Sequence, residues 1–185
     1  VCGLAEWPVV LMGSVAKKYQ TLPNEILQTS MKKHQKFFSV KNIKTNKIEK
    51  FITVANIEAP DAGEIIIKGN QKVLEARLAD GEFFFQNDLR IAKKGGKAWL
   101  ENLERVIFHN KLGSQADRIE RIEGFAVQVG TYFNLTETKV VKTVRFLKAD
   151  LSSQMVYEFP ELQGVMGSYY AKTAGYGEEI SLAIL

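Results

Sequence analysis

Residues 59–90, APDAGEIIIKGNQKVLEARLADGEFFFQNDLR, are where the hydrophobic period of the chain changes. Val73, Leu74 and Leu78, then Phe84, Phe85 and Leu89, recur at the three- and four-residue steps of one helix face. Gly69 and Gly81 interrupt this pattern, so the stretch reads as one long helix or two consecutive ones. Upstream the signals are mixed. WPVVLMG (7–13) is a short apolar run closed by Gly, the pattern of a buried strand. TLPNEILQTSMKKH (21–34) predicts a helix with Pro23 in its first turn and Ile26, Leu27, Ser30, Met31 and His34 on one face. FFSV (37–40) and KFITVAN (50–56), joined by the polar KNIKTNKIE, predict a hairpin of two half-buried strands.

Downstream the pattern stays helical. KAWLENLERVIFHNKLGS (97–114) predicts a helix with Trp99, Leu103, Val106 and Ile107 on one face and Gly113 as its C-terminal cap. Ser114 caps the next helix, whose Ile119, Ile122, Ala126, Val129 and Phe133 form an apolar stripe. Thr136 starts a further helix reaching Phe159, with Val140, Val144, Leu147, Leu151 and Met155 in register, and Pro160 ends or bends it. The fold class that follows is α+β: a small mixed α/β element over residues 1–60, then an all-helical domain over residues 61–185.

The chain of 185 residues is 45% apolar and 25% charged, enough for a real core and far from the composition of a disordered segment. It starts at Val1 and stops inside the helix-like run EEISLAIL, which reads as a piece of a longer protein. Its one cysteine, Cys2, excludes an internal disulfide framework and a Cys-rich zinc site, and fits a reducing cytoplasm. No apolar run reaches the roughly 20 residues of a membrane helix. The net charge of +4 is uneven: residues 1–60 hold nine Lys and four acids, and residues 61–185 hold sixteen Lys plus Arg and seventeen acids. The basic excess therefore sits in the first third, in KKHQK (32–36) and in Lys41, Lys44, Lys47 and Lys50. Such a patch either neutralises nucleic-acid phosphates or is a solvated face.

No catalytic grouping emerges. The two histidines, His34 and His109, have no carboxylates at a spacing that would complete a metal site, so no metal is expected. Cys2 has no neighbouring His, no Ser occupies a GxSxG turn, and the Walker-type loop is absent. The GxxG of GVMG fits a turn or close helix packing better than a nucleotide loop, and the triplet Phe83–Phe85 is assigned to the core.

Longer stretches carry a resemblance. GLAEWPVVLMGSV, LPNEILQTSMKKHQKFFSV, FITVANIE, GNQKVLEARLADGEFFFQNDL, LGSQADRIERI and LKADLSSQMVYEFPELQGVMGSYYA, in this order, closely resemble the beta subunit of bacterial glycyl-tRNA synthetase over nearly the whole chain. Ser153 stands where that family commonly has Thr, Leu147 where it has Cys, and Gly81 where it has Ala. The resemblance implies a middle part of the N-terminal half of that subunit. It makes residues 1–60 the C-terminal part of an editing-like α/β domain, and residues 61–185 a helical domain like that of HD phosphohydrolases, truncated at its C-terminal end.

The same resemblance implies a ligase made of two kinds of subunit. The alpha subunit activates glycine with ATP and Mg²⁺ and carries the aminoacylation centre, so this chain holds no cofactor and is not catalytic alone. The beta subunit binds and positions tRNA(Gly) in the cytoplasm. Its partners are the alpha subunit, tRNA(Gly) and the remaining beta-subunit domains, with no membrane. Candidate tRNA-binding residues are Lys32, Lys33, His34, Gln35, Lys36, Arg77, Arg118, Arg121 and Lys148. Asp80, Asp117 and Asp150 have a competing structural role as caps or ion-pair partners, Asp117 with Arg121 at i and i+4 being the simplest case. Two other readings stand beside this one: an architectural segment without tRNA contact, and a metal-dependent HD-type phosphohydrolase. For the latter the His-Asp signature is missing, since Asn110 follows His109.

Overall fold

The strand-forming residues of the first third build a three-stranded antiparallel sheet around the strand that comes last in the chain. In the computed structural model, which describes residue 3 and residues 5–185, β1 (Val9–Ser14) and β2 (Phe38–Lys41) flank β3 (Ile48–Ala55) in the order β1-β3-β2. Cys2 lies outside the described residues. Phe51 and Thr53 of β3 are buried, as alternation requires, and Ile48 joins them although its parity is wrong. The register shift between Val40 and Lys41 supplies the reason: an extra residue on β3 turns Ile48 to the face of Phe51. β1 is an edge strand with Leu11 buried and Val10 and Met12 exposed, so the buried strand expected there is buried on one face only. Gly13 sits opposite Phe51, whose ring passes so close that a Cβ would lie 2.4 Å from it.

The helix expected from residue 21 starts one residue after Pro23. α1 (Asn24–Ser30) buries Ile26, Leu27 and Ser30, and then widens into a π turn, Met31–Gln35, that ends at Lys36 with φ 57°. The widened turn leaves His34 exposed rather than on the apolar face, while Phe37 returns to the sheet and stacks on Phe51 with centroids 4.8 Å apart. α2 (Glu64–Ala92) is one uninterrupted helix of 29 residues. Leu74, Leu78, Gly81, Phe85, Asp88 and Ala92 are its buried stripe, at steps of four, three, four, three and four. The chain divides into two compact units between Phe83 and Phe84, within this helix.

The second unit continues with α3 (Lys97–Asn102), the two-stranded hairpin β4 (Ile107–His109) and β5 (Gly113–Ser114), α4 (Gln115–Tyr132), α5 (Glu137–Phe146), α6 (Gln154–Glu158), α7 (Val165–Thr173) and α8 (Glu178–Ile184). Two helical expectations are corrected. The helix over 97–114 stops at Asn102, because Val106, Ile107 and Phe108 favour extended backbone, and Gly113, at φ +84°, serves the hairpin and not a helix end. The helix over 136–159 breaks after Phe146 into a 3₁₀ turn, Ala149–Ser152, and α6. Ser153 is extended there and caps α6 by accepting from the Val156 N–H, a local bond that competes with helix continuation.

One core cluster of this unit joins Leu103, Ile119 and Val144, with Ile122, Ala126 and Val140 against it. The stripe foreseen on α4 is buried only in part, since Val129 and Phe133 are exposed. The Phe83–Phe85 triplet is likewise split: Phe85 is buried, Phe84 half-buried and Phe83 exposed. A second set of rings places Tyr170 beside Trp99 at 4.9 Å and Phe85 at 6.3 Å. No helix among the described residues is long and apolar enough to cross a membrane.

Candidate nucleic-acid interface

The end of α1 concentrates cations because its last turn is polar on the outside and is stopped by a lysine. Lys32, Lys33, His34 and Lys36 are exposed and Gln35 is half-buried. Lys36 closes the turn by donating from Nζ to the carbonyl of Lys33 at 3.0 Å. From α2, Arg77 reaches the same turn, its Nη2 standing 3.2 Å from His34 Nδ1 and 3.4 Å from Nε2. Lys32, Lys33 and Lys36 line an open cavity of ≈580 Å³ together with Gln28, Phe37, Phe38 and Ser39, and no acid is among the lining residues. Six of the nine candidate residues thus fall in the first unit, five of them on one turn.

The other three candidates lie in the second unit and are engaged differently. The Arg118 guanidinium stands over the Phe108 ring, 4.4 Å from its centroid, and Arg121 Nη2 donates to the Leu112 carbonyl at 3.0 Å. Both arginines therefore brace the β4–β5 hairpin. Lys148 is half-buried at the entry to the 3₁₀ turn. Asp117 completes a capping box, accepting from the Ser114 amide at 2.7 Å while its own amide donates to Ser114 Oγ. The Ser114 backbone and hydroxyl donors hold its carboxyl below the usual range, with the charge of Arg121 adding to them. Asp80 is exposed.

Asp150 is a cap of a different kind. It is fully buried, and its Oδ2 accepts from the amides of Gly164 at 2.6 Å and Gly167 at 3.1 Å, at the start of α7, while Oδ1 is buried without a hydrogen-bond partner. Burial pushes its carboxyl up despite the two amides and nearby Lys148. The same arrangement recurs at α6 with a residue that the reading of the sequence missed. Asp88, also fully buried, accepts from the amides of Gln154 at 3.0 Å and Met155 at 2.9 Å and from the Tyr170 hydroxyl at 2.9 Å. Burial raises its carboxyl as well, and burial beside Asp88 drives the Tyr170 phenol far above its ordinary value. The signal for Asp88 was present: an acid at a core position of the stripe Leu74, Leu78, Gly81, Phe85 has to find buried donors.

Asp88 and Asp150 hold the starts of helices and expose no acid or base to solvent. Among the described residues no three His, Cys, Asp or Glu side chains stand close enough to hold a metal ion. At the end of α1 the surface offers a ligand a set of ammonium groups around one cavity, which suits phosphate.

Comparison with known proteins gives these features a context. Residues 1–185 match the family model described as glycyl-tRNA synthetase beta subunit. The chain is 59% identical over 185 residues to the glycine–tRNA ligase beta subunit of Ruegeria sp. (strain TM1040), covering 99% of this chain and 27% of that protein. Against the same subunit of Paracoccus denitrificans (strain Pd 1222) it is 55% identical over 181 residues, covering 98% and 26%, and against that of Rickettsia felis 42% identical over 184 residues. The chain spans about a quarter of the length of the curated relatives it matches.

Proposed function

Because the chain belongs to the glycyl-tRNA synthetase beta-subunit family, we propose that it helps bind and position tRNA(Gly) in a cytoplasmic glycine–tRNA ligase whose alpha subunit activates glycine with ATP and Mg²⁺. The observation that carries this reading is the acid-free cavity lined by Lys32, Lys33 and Lys36 beside the His34–Arg77 contact. Three ammonium groups on one turn neutralise successive backbone phosphates, and the permanently charged Arg77 extends the field along α2. Held by the turn, they fix the register of a polyanion and leave the chemistry to the partner subunit.

The experiment is tRNA(Gly) binding by the 185-residue chain across a salt series, against the triple variant Lys32→Ala, Lys33→Ala, Lys36→Ala. The slope of log affinity on log salt becomes shallower by roughly 2–3 in the variant if each lysine releases counterions from one phosphate. A wild type that does not bind at low salt, or a variant with the same slope, removes this assignment.

The second unit favours an architectural role. Arg118 and Arg121 are engaged on their own hairpin, and the end of α4 exposes Phe125, Tyr132 and Phe133, a surface that suits a protein partner better than a phosphate backbone.

A further inference from the structure

The lysine-lined cavity contains an aromatic ring that phosphate binding does not require. Phe37 immediately precedes β2 and Phe38 is its first residue. Both line the cavity with Lys32, Lys33 and Lys36, but Phe37 is buried and stacked on Phe51, whereas Phe38 is 53% exposed. β2 is an edge strand, so Phe38 stands where the sheet meets solvent. Exposed Gln28 and half-buried Ser39 complete the rim with polar groups.

We infer that this cavity takes an unpaired RNA nucleotide, its base face on the Phe38 ring and its flanking phosphates on Lys32, Lys33 and Lys36. This rests on the tRNA-binding reading and narrows it. A base inside a duplex has both faces covered by its neighbours and cannot reach a ring set among ammonium groups; an unstacked base can. The volume of ≈580 Å³ lies within the usual range of small-ligand sites, and the charged groups of the lining, all of them lysines, complement the charge of a nucleotide. Stacking tolerates any base, so the ring supplies affinity for single strands while Gln28 and Ser39 offer the hydrogen-bonding groups that tell bases apart.

The test compares a single-stranded oligoribonucleotide with its duplex by fluorescence anisotropy at fixed low salt, using the 185-residue chain and its Phe38→Ala and Phe38→Trp variants. The exposure of Phe38 lets both variants fold, which circular dichroism verifies. Loss of one base–aromatic stack weakens single-strand binding by about 5- to 150-fold in Phe38→Ala and leaves the salt slope unchanged, while Phe38→Trp binds at least as well as wild type. Single-strand affinity unaffected by Phe38→Ala but lowered by the triple lysine variant overturns the stacked nucleotide and leaves the phosphate reading intact. Duplex bound as tightly as single strand by wild type and Phe38→Ala alike also overturns it. Failure of wild type to bind either RNA overturns both.

Discussion

Asp88 is the residue whose removal tests the architecture of the second unit most directly. Asp88→Ala leaves three donors without their acceptor: the amides of Gln154 and Met155 and the Tyr170 hydroxyl. Gln154 is exposed and its amide gains access to water, whereas Met155 and Tyr170 are fully buried. Two buried unsatisfied donors at about 1–3 kcal/mol each give roughly 2–6 kcal/mol. Relief of the buried carboxylate offsets part of this, so the expected loss is about 3 kcal/mol. Asp88→Asn keeps one acceptor oxygen but points an amide donor at one of the three donors, and should cost about 2 kcal/mol. Trp99, buried beside Tyr170, reports unfolding of this unit in urea through its fluorescence, while Trp7 is exposed in the first unit. A Tyr170→Phe change removes one of the demanding donors, so its effect and that of Asp88→Ala should be less than additive. A loss below about 1 kcal/mol for Asp88→Ala, or strict additivity with Tyr170→Phe, would refute the capping role assigned to this carboxylate. The pH dependence has a definite sign. Because burial raises the folded-state value, the folded protein holds the Asp88 proton more tightly than the unfolded chain. Its contribution is complete below the ordinary carboxylate range of about 4 and is lost as pH rises through the raised folded value. The difference in stability between wild type and Asp88→Asn therefore shifts against the wild type as pH climbs through that window, and is flat above it.

Gly81→Ala should stabilise the first unit by about 0.5–1 kcal/mol in chemical denaturation, since the residue is helical and a Cβ would meet only Ile26 Cγ2, at an ordinary contact of 3.6 Å. Gly167→Ala should lower the melting temperature through a loss of about 1–3 kcal/mol, because its Cβ would stand 2.9 Å from Ile184 Cγ2 and 3.1 Å from Asp150 Oδ2; an unchanged melting temperature would show that α8 yields without cost.

The parts of the fold legible in the sequence are those held by local period. The hairpin of β2 and β3 and the start of α1 follow from alternation and from Pro23, and β1 follows as a strand from its apolar run, though its antiparallel pairing with β3 does not. α2 was legible as helix, yet its continuity was not: Gly69 meets open space and Gly81 one loose contact, so the cost of each glycine, about 1 kcal/mol, is covered by the buried stripe around it. The β4–β5 hairpin escaped because Trp99, Leu103, Val106 and Ile107 match helical spacing as well as they match a helix followed by a strand. The break after Phe146 escaped because its local signal, the Ser153 cap, is short, and its other support is non-local: Asp88 caps α6 from 66 residues away. At the candidate interface the lysines stood out by charge. Phe38 did not, because exposure of one ring in a Phe-Phe pair depends on which face the sheet buries.

The distances in sequence that Asp88 bridges also bear on how the chain is made. Its partners lie 66, 67 and 82 residues further on. The sheet of the first unit, by contrast, has all three strands once residue 55 has been synthesised. On the ribosome the first unit can form its sheet early, while the stripe at the far end of α2 lacks the segments that cover it and pair with Asp88 until residue 170 has emerged. Over that interval of translation its exposed apolar surface is open to the non-native contacts that chaperones suppress.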